Sequence, residues 1–108
     1  MGAERWSIVK LSGVIDIRSI DNSFMKIKEA AGDGASLEID LTDVTDIDLT
    51  FLQLIEAARR SAAQVGSGIR LSRPADEIIL ETLRRGGFLN SPEDERTRFW
   101  LGQPEYGA

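Results

Sequence analysis

Neither cysteine nor histidine occurs anywhere in the 108 residues. Without thiols there are no disulfides, thiolate metal sites or cysteine nucleophiles. Without imidazole the commonest general base near neutral pH and a leading transition-metal ligand are gone as well. The two absences together exclude Ser-His and Cys-His nucleophilic pairs and the usual zinc sites. Only carboxylates and lysine remain for catalysis, so the expectation is a protein that is not an enzyme, with no catalytic residue, metal or cofactor. No apolar run approaches the roughly 18 residues of a membrane span. Residues Met1 to Trp6 hold no apolar signal-peptide core, so the expected address is the cytoplasm, with no direct membrane insertion. Thirteen basic residues face 18 acidic ones, for a net charge of −5. That balance argues against nucleic acid and anionic lipid as partners. What is left is a binding or signalling module built as one small domain, residues 1–108.

The order of elements is partly legible. Ser7-Ile8-Val9-Lys10-Leu11 reads as a short strand, with Ser12-Gly13 as a break after it; Val14–Ile17 is apolar but too short to type. Ile20, Phe24, Ile27 and Ala31 recur at helical spacing, and Gly32-Asp33-Gly34 ends that helix. Leu37, Ile39 and Leu41 alternate with Glu38 and Asp40, the period of a strand with one polar face. An acidic loop is expected next, then a helix with the stripe Phe51, Leu54, Ile55, Ala58, Ala62 and Val65. Gly66-Ser67-Gly68 closes this helix, and Ile69-Arg70-Leu71 forms another strand. Pro74 suits the first turn of a third helix with Ile78, Ile79, Thr82 and Leu83 buried, and Gly86-Gly87 stops it. Ser91-Pro92-Glu93-Asp94-Glu95 reads as a capped start for a last short helix, docked by Phe99 and Trp100, with a frayed tail after it. The core therefore spans about residues 6–89, with a C-terminal helix and tail over 91–108. Strands alternating with helices imply an α/β layer in which helices cover a small sheet.

The run from Asp40 to Ile55 carries the most specific pattern. It resembles the signature of the STAS domain (sulfate transporter and anti-sigma factor antagonist), roughly D-L-S-x-V-x-x-I-D-S-S-G-L-x-x-L. Asp40, Leu41, Thr42, Val44, Ile47, Asp48, Leu52 and Ile55 fall into register with it. Thr50 takes the position of the family's phosphoacceptor, Leu49 replaces the hydroxyl residue before it, and Phe51 replaces the glycine after it. The resemblance implies a STAS-like small mixed sheet of four or five strands with helices mainly on one face. Many members carry an extra N-terminal strand, so either four strands or a very short first strand is expected here.

The resemblance also implies a role: a bacterial anti-sigma factor antagonist-like protein, bound by a serine/threonine kinase resembling an anti-sigma factor. Phosphorylation of Thr50 would switch that binding. The expected partner face comprises Asp46, Asp48, Leu49, Thr50, Phe51 and Leu52, with Asp16 and the turn that follows it to Ile20 brought alongside. Asp48 is the expected N-cap, its carboxylate accepting from a backbone N–H of the first turn. A phosphate on Thr50 would meet orphan N–H groups and a favourable dipole. A simpler account makes Asp48 and Thr50 helix-start residues only, with Leu49 and Phe51 as local packing. Other STAS proteins suggest two further roles: a non-phosphorylated subunit of a transport or chemotaxis complex, or a nucleotide- or lipid-sensing domain. The oligomeric expectation is a monomer or weak homodimer.

Other candidates have plainer readings. Asp40, Asp43, Asp46 and Asp48 lack the glycine and terminal glutamate of a calcium loop and read as a solvated acidic loop. Arg59-Arg60 and Arg84-Arg85 sit in C-terminal halves of helices, where they complement the dipole and stay solvated. Gly66-Ser67-Gly68 is too short to cradle a phosphate. Trp6 and Trp100 read as core caps, with an exposed Trp100 anchoring a partner as the alternative.

Overall fold

Three parallel strands and four helices alternate along the chain in the computed structural model, which describes residues 6–32, 34–89 and 95–102. The order is β1 (Trp6–Ile15), α1 (Ile20–Ala31), β2 (Ser36–Ile47), α2 (Leu49–Gln64), β3 (Ile69–Leu71), α3 (Glu77–Arg85) and α4 (Glu95–Leu101). The sheet runs β1-β2-β3, with β1 and β3 both parallel to β2. The first two helices are thus crossovers of consecutive βαβ units, as parallel neighbours require. The described sheet has three strands rather than the four or five expected, and it is wholly parallel rather than mixed. The additional N-terminal strand was expected ahead of Ser7, and residues 1–5 lie outside the described residues. The expected start of α4 at Ser91–Asp94 also lies outside them.

Two strands are longer than their patterns suggest. β1 runs straight through Ser12-Gly13, and Gly13 takes a φ of +75° that only glycine adopts without strain. Its inward residues Val9, Leu11 and Ile15 are buried, while Ile8, Lys10, Ser12 and Val14 are exposed. β2 extends to Ile47, so the expected acidic loop is strand. Between Lys10 and Ser12 of β1 the partner advances from Asp40 to Asp43, and between Gly13 and Val14 from Val44 to Asp46. Each step puts one extra residue into β2, the definition of a bulge. The inward set therefore passes from Leu37, Ile39 and Leu41 to Val44 and then Ile47, all buried. A spacing of three hides this strand from a search for period two.

Helices cover the inward face. Ile27 of α1, Phe51, Leu52 and Ile55 of α2, Ile79 and Leu83 of α3, and Phe99 and Trp100 of α4 join the strand residues in one core. Four details differ from the periodic reading. Phe24 is exposed and Ser23 is buried in its place; Leu52 is wholly buried, Val65 is 67% exposed, and Ile78 lies outside the core. Helix α3 starts at Glu77, beyond Pro74, and is capped by Asp76, whose carboxylate accepts from Ile79 N–H at 3.2 Å. Trp100 is fully buried, which removes the alternative of an exposed anchor.

The opposite sheet face is held by polar pairs. Arg70 meets Glu38 at 2.8 Å and lies 3.8 Å over the Trp6 ring, while Lys10 meets Asp43 at 3.2 Å.

Candidate partner-binding site

Asp48 organises the junction between β2 and α2. Its backbone is extended, and its carboxylate accepts the Thr50 N–H at 2.9 Å, which makes it the N-cap. The second carboxylate oxygen accepts the Ile17 N–H at 3.1 Å, and the Asp48 N–H donates to the Ile15 carbonyl at 3.2 Å. One side chain thereby starts a helix and ties the β1–α1 turn to it. Asp16 builds that turn from the other side: its carboxylate accepts the Arg18 N–H at 2.9 Å and the Ser19 N–H at 3.3 Å. Its own N–H donates to the Ser19 hydroxyl, which donates to the Val14 carbonyl at 3.0 Å.

The result is a surface on which Ile17, 72% exposed, and Leu49, 48% exposed, flank Asp48. Thr50 is half-buried beside Leu49, Asp46 is exposed, and Asp16 is half-buried at the edge. Asp16, Asp46, Asp48, Leu49 and Thr50 are thus brought to one end of the domain. Phe51 and Leu52, expected on the same face, are wholly buried and support it from below. On a helix, residues one and two positions past Thr50 turn away by roughly 100° and 200°, and here that direction is the core. Ile17 lies in the Asp16–Ile20 turn expected alongside this face, and the Asp48 carboxylate ties its backbone there.

Both residues flanking Thr50 have structural partners. Leu49 lies against the C-terminal turn of α3: a Cβ placed on Gly86 would sit 2.7 Å from Leu49 Cδ2 and 3.0 Å from the Phe88 ring. Phe51 packs edge-on against Trp100 of α4, ring centroids 6.5 Å apart. Gly86-Gly87 has a sufficient local role as a helix stop, so nothing in the sequence marks Gly86 and Phe88 as neighbours of the site.

The aspartates do not converge. Asp40 accepts from Thr42 N–H at 2.9 Å, Asp43 pairs with Lys10, Asp46 accepts from Ile47 N–H at 2.9 Å, and Asp48 is the cap. Among the described residues no three potential ligands gather around one point. The Thr42 hydroxyl and N–H beside Asp40, helped by Lys10 and Arg73 and opposed by desolvation, hold its pKa below the ordinary 3.8. Arg60, Arg84 and Arg85 are exposed, the last two in the final turn of α3, whereas Arg59 is largely buried. Arg59 meets Glu56 at 3.1 Å and lies 5.1 Å from the Phe99 ring centroid; Arg84 and Arg85 both reach Glu81. Among the described residues no helix is long and apolar enough to cross a membrane.

A parallel three-stranded sheet with β2 running into a capped α2 defines a small α/β domain of βαβ units. The chain belongs to the STAS domain family: the family model described as "Mlab, STAS domain" matches residues 3–90. Helix α4 lies beyond the matched segment. A comparison with curated proteins finds no match.

Proposed function

We propose that this chain is a bacterial, cytoplasmic protein–protein interaction module of the anti-sigma factor antagonist type. It is not an enzyme and works without a cofactor. Its contact face comprises Ile17, Asp16, Asp46, Asp48, Leu49 and Thr50. One observation carries the reading: Asp48 binds both Ile17 and Thr50 N–H groups, so two exposed apolar side chains share a surface with a hydroxyl at a helix start. Apolar centres with polar rims are how protein interfaces are built. The partner is a serine/threonine kinase resembling an anti-sigma factor, and it phosphorylates Thr50. The added charge, about −1.5 to −2, would lie beside Asp46 and Asp48. Buried in an interface without a cationic mate, it would expel the partner. Incubation with a kinase encoded beside this gene and ATP tests this by intact mass: one phosphate is expected on the native chain and none on Thr50→Ala. Addition that survives Thr50→Ala refutes the assignment.

Leu49 favours a second reading. An apolar side chain, half exposed beside Thr50, suits a surface that stays occupied, as in a non-phosphorylated subunit of a transport complex. Stable co-purification with a transporter ATPase, unaffected by Thr50→Glu, is the outcome expected on that reading.

A further inference from the structure

The C-terminal helix α4 closes over the residues that hold Thr50 in place. Trp100 is wholly buried against Phe51, and Phe99 meets Trp100 edge-on at 5.1 Å. The Trp100 carbonyl accepts the Ala75 N–H at 2.9 Å, and Gly102 lies against Pro74. Arg96 approaches Glu56 at 3.6 Å and lies 5.4 Å from the centroid of Phe88, a ring that lies beside Gly86 as Leu49 does. Phe51 therefore meets α4 directly through Trp100, and Phe88, which shares the Gly86 position with Leu49, meets it through Arg96.

Three properties make this helix separable from the rest of the core. Its described stretch is seven residues, and a helical stretch that short does not persist once undocked. It is the last described element, so its departure breaks no strand pairing. Its central anchor also carries a cost, because the buried Trp100 Nε1–H has no hydrogen-bond partner among the described residues. A buried donor without an acceptor regains water on leaving the core.

We propose that α4 is a releasable strap on the STAS domain. Docked, it fixes the first turn of α2 through Phe51 and the Phe88 ring beside Gly86 through Arg96. Released, it loosens both and bares Phe51, Phe99 and Trp100. Whatever binds or modifies the Leu49–Thr50 face is then thermodynamically linked to docking of α4, in either direction. The proposal holds whether or not Thr50 accepts a phosphate.

Amide hydrogen exchange on the full chain tests it. Amides of 95–101 are expected to exchange at least about tenfold faster than those of 37–41, in a cooperative local opening. Trp100→Ala should accelerate exchange at Phe51, Leu52 and Phe88 together with α4, and leave 37–41 unchanged. Trp100→Phe keeps most of the apolar contact and removes the orphan donor, so it should slow the opening of α4 or leave it unchanged. Equal protection of α4 and β2 in the native chain would overturn the proposal. So would global unfolding of Trp100→Ala, acceleration confined to α4, or acceleration of α4 by Trp100→Phe as large as that by Trp100→Ala.

Discussion

Ile17 is held by Asp48, thirty-one residues away, through a 3.1 Å bond from its backbone N–H to the carboxylate that also caps α2. Removing that carboxylate should cost both contacts. Asp48→Ala is expected to lower stability by about 2 kcal/mol, from a lost cap and a lost charge-assisted hydrogen bond. Asp48→Asn retains an acceptor and should cost about half as much. Urea denaturation followed by circular dichroism measures both; equal losses would show that acceptor geometry is not what Asp48 contributes.

Gly86 and Gly87 should respond to alanine for different reasons. Gly86 has an ordinary helical backbone, but a Cβ there meets Leu49 Cδ2 at 2.7 Å. Gly86→Ala is expected to cost about 1 kcal/mol by overpacking, and shortening the neighbour in Leu49→Ala should relieve part of that cost in a double-mutant cycle. Gly87 has a φ of +75° with nothing near its missing Cβ. Gly87→Ala should cost about 1 kcal/mol through backbone strain, with no coupling to Leu49.

Ile17 separates binding from folding. It is 72% exposed, so Ile17→Asp should change stability by no more than about 0.5 kcal/mol. A central apolar contact of an interface is worth more, and partner affinity should fall at least about tenfold. Isothermal titration with the partner beside chemical denaturation of the free chain provides both readings. Undiminished affinity would place the interface elsewhere.

Asp40 gives stability an acid limb. Its pKa is depressed in the folded state, chiefly by the Thr42 hydroxyl and N–H. The unfolded chain therefore binds the proton more readily as pH falls. This contribution is present above the unfolded value near 3.8 and is lost as pH drops through the lower folded value. Thermal midpoints between about pH 5 and pH 2 should fall less steeply in Asp40→Asn than in the native chain. Parallel curves would assign the acid sensitivity to other carboxylates.

Much of the frame is legible in the sequence. Helix α1, the start of α2 at Asp48, the stop at Gly86-Gly87 and the strand at Ile69–Leu71 follow from periodicity, caps and glycine. Local chemistry acts over one or two turns, and sequence displays it directly. The second half of β2 was illegible because two bulges replace a spacing of two with a spacing of three, and that substitution is defined only against β1. The sheet face of α1 was misread at Phe24 for a related reason: a helix shows which residues share a side, while its neighbours decide how far the stripe turns inward.

At the site the division is similar. A hydroxyl at the start of α2 behind an acidic cap is local chemistry, because capping is satisfied within three residues. Tertiary packing set the rest: Asp48 binds the Ile17 N–H, Leu49 rests on Gly86, and Phe51 faces inward onto Trp100. Each of these joins residues at least thirty positions apart, and packing between distant segments has no local signature.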